Sequence, residues 1–66
     1  MEITVNGKPR HLESPTTIIG LLELLGINPK TVVVERNLNI VPRDAMESEP
    51  VAEGDSIEIV RLVGGG

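Results

Sequence analysis

The run Val60-Arg61-Leu62-Val63-Gly64-Gly65-Gly66 holds the groups of this sequence best suited to chemistry. Three successive glycines offer no side chain to bury and cost the most backbone entropy to order. They predict a segment, residues 63–66, that hangs free of any core and reaches on the order of 10 Å when extended. Its reactive group is the α-carboxylate of Gly66, which is ionised at neutral pH because its reference pKa lies near about 3.5. Gly65 and Gly66 carry no Cβ that would block a nucleotide or an acceptor. Taken by themselves the glycines fit two readings: a frayed chain end or appended scar, and a reactive tail slim enough for a narrow slot in a partner enzyme.

The other candidates for chemistry are weaker. His11 is the single histidine, and its place on an expected edge strand makes it an exposed side chain rather than a ligand or a base. Glu47, Glu49, Glu53 and Asp55 could attract a cation, but they lack the spacing of a known metal loop and read as a solvated acidic connection. Ser14, Ser48 and Ser56 have no base arranged by any motif. With no cysteine there is no thiolate nucleophile, disulfide or sulfur-ligated metal. No metal site and no catalytic constellation is expected, so the chain reads as a co-substrate that binds no cofactor of its own, and not as an enzyme.

Composition narrows the partners. Ten acidic against six basic side chains give a formal charge of −4, and there is no Phe, Tyr or Trp to stack on a base. Both features argue against nucleic acid. No apolar run reaches the length of a membrane span and the N-terminus lacks a signal pattern, which together predict a cytoplasmic, non-membrane protein. The 66 residues suffice for one domain, expected over residues 1–62, with a core of Ile, Leu and Val in which Ile3, Val5, Leu12, Ile18, Leu21, Leu22, Leu25, Val32, Val34, Ile57 and Ile59 face inward.

The elements that must position the tail follow in order. Glu2 to Val5 alternates as a strand, Asn6-Gly7 suits a tight hairpin turn, and a weaker return strand runs from Lys8 to Glu13, with Pro9 marking an edge. Ser14, Thr16 or Thr17 can cap a helix whose Ile18, Leu21, Leu22 and Leu25 share one arc, and Gly26 ends it. Gly20 weakens that helix by about 1 kcal/mol relative to Ala. Val32 to Glu35 is the strongest strand signal. Asn37-Leu38-Asn39 is a turn and Ile40-Val41 a short strand. Arg43 to Glu53 reads as an irregular polar and acidic connection with room for one helical turn, Glu53-Gly54-Asp55 as a turn, and Ser56 to Leu62 as the last strand. One helix across one mixed sheet is the economical packing.

This order, strand-strand-helix-strand-strand-strand, is an α+β layout of the ubiquitin-like β-grasp kind, with about five strands. The segments Asn37-Leu38-Asn39-Ile40-Val41-Pro42-Arg43 and Glu53-Gly54-Asp55-Ser56-Ile57-Glu58-Ile59, with the glycine tail, resemble the small sulfur carriers of thiamine biosynthesis, the ThiS family, over nearly the whole chain. The resemblance implies that the Gly66 carboxylate is adenylated with ATP by a separate ThiF-like enzyme. Sulfur from a donor such as a cysteine desulfurase then displaces AMP, and the thiocarboxylate serves a ThiG-like thiazole synthase. Two alternatives share parts of this pattern: a carrier for molybdopterin or another thiocarboxylate pathway, and a ubiquitin-like modifier or interaction module without sulfur chemistry.

The last strand contains a break of phase. Ile57 and Ile59 alternate with Ser56 and Glu58, but Val60 and Leu62 then fall on the face that should meet water. Either a bulge shifts the register, or Val60 and Leu62 are exposed beside the tail, where Val33 would adjoin them. The second reading makes Val33, Val60 and Leu62, with Val63, Gly64 and Gly65, the surface that docks the adenylating enzyme.

Overall fold

The computed structural model describes residues 1–62; the expected tail, Val63, Gly64, Gly65 and Gly66, lies outside the described residues. Strands β1 (Glu2–Val5) and β2 (Lys8–His11) form the N-terminal hairpin, followed by helix α1 (Ile18–Leu25). Strands β3 (Val32–Arg36), β4 (Asn39–Ile40) and β5 (Ser56–Arg61) complete a five-stranded sheet in the order β2-β1-β5-β3-β4. Only β1 and β5 run parallel. The β-grasp arrangement expected from the sequence is the one observed, with the last strand beside the first.

Local chemistry accounts for the turns and the helix. Asn6 and Gly7 take φ of 51° and 80°, the left-handed pair a two-residue hairpin demands. The Thr17 hydroxyl accepts from the Gly20 N–H at 3.2 Å, and Gly26 closes the helix with φ of 71°. A Cβ at position 20 would lie 2.1 Å from Thr16 Oγ1. Gly20, read from sequence as a weak point of the helix, thus makes room for the capping segment.

The core is Ile3, Leu12, Ile18, Leu21, Leu22, Val32, Val34 and Ile57, as expected, joined by Val41, Met46 and Val51. The last two correct the reading of Arg43 to Glu53 as a wholly polar connection. The helical turn expected there is the 3-10 helix at Arg43–Ala45, and the segment folds over the start of α1. The Ile18 N–H donates to Glu49 O and the Ile19 N–H to Met46 O, each at 3.0 Å, and Val51 N–H donates to Thr16 O at 3.0 Å. The first turn of any helix leaves N–H groups without intrahelical partners. Here the connection supplies two of the missing acceptors, which is why its Met46 and Val51 side chains drop into the core. Val5, Leu25 and Ile59, expected inside, are only partly buried, packed against the rim of the core.

Asp55 is the second correction. It is 5% exposed and accepts from Arg36 Nε at 2.7 Å, Asn37 Nδ2 at 3.0 Å and the Ala52 N–H at 2.7 Å. Glu49 also contacts Arg36, at 3.4 Å. Two of the four acidic residues therefore form a lock between the end of β3, the connection and the start of β5. Glu47 and Glu53 stay exposed. Burial pushes the Asp55 carboxyl up, yet the hydrogen bonds from Arg36, the Ala52 amide and Asn37 outweigh it and hold the group below its usual 3.8.

Two stability measurements check this account. Leu22→Ala removes a fully buried side chain and should cost about 2–5 kcal/mol in a urea melt. Asp55→Asn should cost about 3 kcal/mol at pH 7, the low end for a broken buried pair, since the Arg36 side chain keeps 26% of its surface in water. A depressed carboxyl stabilises the fold above its unfolded pKa, and that contribution disappears as pH falls through the folded value. The gap between wild type and Asp55→Asn should therefore narrow below pH 3.8.

Candidate functional site

The sequence points to the end of β5, where the described chain stops. Its register against β3 is unbroken from Arg36↔Ile57 through Val34↔Ile59 and Val33↔Val60 to Val32↔Arg61. One further bond, Leu62 N–H to Thr31 O at 2.8 Å, extends the ladder past the strand. No bulge intervenes, so the alternation is simple: Ile57 and Ile59 face the helix, and Val60 and Leu62 face outward, 53% and 47% exposed. Val33 lies directly opposite Val60 and is half-buried. The structure brings Val33, Val60 and Leu62 together on the outer face, as the break of phase predicts. Val63, Gly64, Gly65 and Gly66 fall outside the described residues.

Two side chains that sequence reasoning left out hold this strand end in place. Asn6, read only as a turn residue, accepts from the Ile59 N–H at 2.7 Å through Oδ1 and donates from Nδ2 to Ile59 O at 3.3 Å. Its amide thus stands in for one more residue of β1 after that strand has turned away. Arg43 donates to Lys30 O at 3.3 Å and Val32 O at 3.2 Å, satisfying carbonyls at the start of β3 where β4 no longer runs alongside. An Asn-Gly pair signals only the turn, and the position of Arg43 after Val-Pro carries no periodic signal, so neither contact was visible in advance.

The electrostatics of the outer face are uneven. Glu35 and Glu58 stand directly opposite each other on β3 and β5, and neither has an ion-pair partner among the described residues. Like charges in this position are unfavourable. His11 sits on β2, well exposed, with Nδ1 against the Glu2 carboxylate of the neighbouring strand. Among the described residues no three His, Asp or Glu converge as metal ligands, and no helix is long and apolar enough to cross a membrane.

Comparison with known proteins places this geometry. The sequence model of the ThiS family matches residues 3–66. This chain belongs to the ThiS family. The sulfur carrier protein ThiS of Bacillus subtilis is 37% identical over 65 residues, covering 97% of this chain and 98% of that protein. A crystal structure of the thiamine biosynthesis protein ThiS from Geobacter metallireducens superposes with a TM-score of 0.88 at 33% identity, over 100% of both chains. A thiazole synthase of Paramagnetospirillum magneticum is 41% identical over all 66 residues, but this ThiS-family chain spans only 20% of that protein's length.

The segments that carried the resemblance now have structural roles in the ThiS-family fold. Asn37 and Asp55 bond each other at 3.0 Å, and Arg43 pins the strand that pairs with the end of β5. Both contacts fix the register that turns Val60 and Leu62 outward. The double substitution Val60→Asp with Leu62→Asp should therefore leave the melting temperature within a few degrees of wild type. Loss of folding would instead show that these side chains belong to the core.

Proposed function

We propose that this chain is the sulfur carrier of thiamine biosynthesis and that Gly66 is its reacting residue. The family match across residues 3–66, which includes the glycine run, is the observation that carries the reading. In it, a carboxylate oxygen of Gly66 attacks the α-phosphorus of ATP held by a ThiF-like adenylating enzyme, and pyrophosphate leaves. A bare carboxylate resists attack by sulfur because its oxygen is a poor leaving group; the acyl-adenylate removes that obstacle. Hydrosulfide adds at the acyl carbon and AMP departs with the oxygen; where the donor is a cysteine desulfurase, the terminal sulfur of its persulfide makes that attack, and a thiol then reduces the resulting acyl disulfide to free the thiocarboxylate. The thiocarboxylate is then the sulfur source for a ThiG-like thiazole synthase in the cytoplasm. The carrier contributes no catalytic group: ATP belongs to the partner, and this chain supplies the carboxylate and the surface that aims it.

That surface is the outer face at the end of β5. Val60 and Leu62, with Val33 opposite, offer apolar area that association can bury, next to Val63, Gly64 and Gly65 leading to the carboxylate.

Incubation with ATP, the cognate adenylating enzyme and sulfide should raise the mass of the chain by the difference between sulfur and oxygen, located at Gly66. Deleting Gly66 or appending a residue after it should abolish the change while the fold persists. Equal modification of the truncated chain would contradict the proposal. The Val60→Asp, Leu62→Asp double variant should lose affinity for the adenylating enzyme by at least about 2 kcal/mol, the scale of a central contact.

A further inference from the structure

Strand β5 is paired on both sides for only part of its length. On the β3 side the ladder runs to Leu62, through the bond from its N–H to Thr31 O. That bond fixes the alternation, so the N–H and C=O of Ile57, Ile59 and Arg61 point to the opposite side, toward β1. There Ile57 O accepts from the Asn6 N–H at 2.8 Å, and both backbone groups of Ile59 are satisfied by the Asn6 side chain. The register with β1 stops at Val5↔Ile57. Arg61 is the next residue in line, and among the described residues nothing pairs with its N–H or C=O on that side.

Beneath this open edge lies a groove of about 350 Å³ whose floor is Val5, Leu25, Ile27, Val32 and Ile59, with Asn6 and Arg61 at its polar rim. Val5, Leu25, Ile27 and Ile59, which line it, are the partly buried fringe of the core. Residues directly opposite on paired strands share a face. A strand laid along the open edge would therefore present the residue opposite Arg61 to the inner face, over the groove.

Resting on the sulfur-carrier reading, we propose that the adenylating enzyme adds an extended strand to the open edge of β5 at Arg61 and seats an apolar side chain of that strand in the groove. The unpaired N–H and C=O specify extended backbone as the occupant, and the five aliphatic residues of the groove specify an apolar side chain. The partner then grips the strand end from its edge and inner face as well as from the outer face of Val60 and Leu62. Such a hold would fix the direction of the chain at Arg61 and Leu62.

Proline at 61 removes the one N–H at issue without touching the β3 ladder, because that N–H points away from β3. Binding of the adenylating enzyme to wild type, Arg61→Pro and Arg61→Ala should show about a tenfold loss for proline and less than about a twofold loss for alanine, which keeps the donor. If Arg61→Pro fails to fold, hydrogen exchange of the wild-type Arg61 amide decides: it should slow markedly when the enzyme is added. Unchanged binding by a folded Arg61→Pro, or an Arg61 amide that exchanges as fast in the complex as outside it, overturns this proposal while leaving the sulfur-carrier reading intact. An adenylating enzyme that does not bind the wild-type chain overturns both. A free chain that is dimeric, and becomes monomeric as Arg61→Pro, would assign the edge to a second copy and overturn the proposal.

Discussion

The antiparallel pairing of β3 with β5 is the constraint on which the rest depends. It sets which residues of the last strand face the helix, and it runs without interruption through Arg61 to the bond from Leu62 N–H to Thr31 O. A slip of one residue would send Val60 and Leu62 inward and Ile57 and Ile59 out. Burying Ile57 completely against α1 makes that slip costly. The outward aliphatic pair beside the tail is thus a consequence of core packing several residues earlier.

Devices elsewhere in the chain serve the same register. Asp55 and Asn37 tie the start of β5 to the end of β3, and Arg36 joins both to Glu49 in the connection. Arg43 secures the opposite end of β3. The connection from Arg43 to Val51 in turn closes the start of α1 by lending it carbonyl acceptors. In a domain of this size, with no aromatic side chain and no disulfide, polar links of this kind define the arrangement that the aliphatic core stabilises. Their work is done away from the outer face, which stays open.

Much of this was legible in the sequence because it rests on short-range rules. Asn6-Gly7 has the conformational freedom a tight turn requires, Ile18, Leu21 and Leu22 share a helical arc, and the break of phase after Ile59 needs only a period of two. What could not be read depends on contacts between distant segments. Met46 and Val51 sit in a stretch without periodicity, and only the unsatisfied amides of α1 explain why that stretch folds inward. Asp55 looks like a turn residue until Arg36 and Asn37 are placed beside it. Gly20 looks like a fault in the helix until Thr16 is seen to occupy its flank. Asn6 has a second task at Ile59 that no neighbouring residue announces.

The register itself is open to direct measurement in solution. Non-hydrogen-bonded antiparallel pairs bring their α-carbons to about 4.5 Å, close enough for strong contacts between α-protons. A nuclear Overhauser spectrum of the free protein should therefore show α-proton cross-peaks between Val34 and Ile59 and between Val32 and Arg61. A cross-peak from Val32 to Leu62 in place of Arg61 would mean that a bulge turns Leu62 toward the helix, and the outward docking face would not exist.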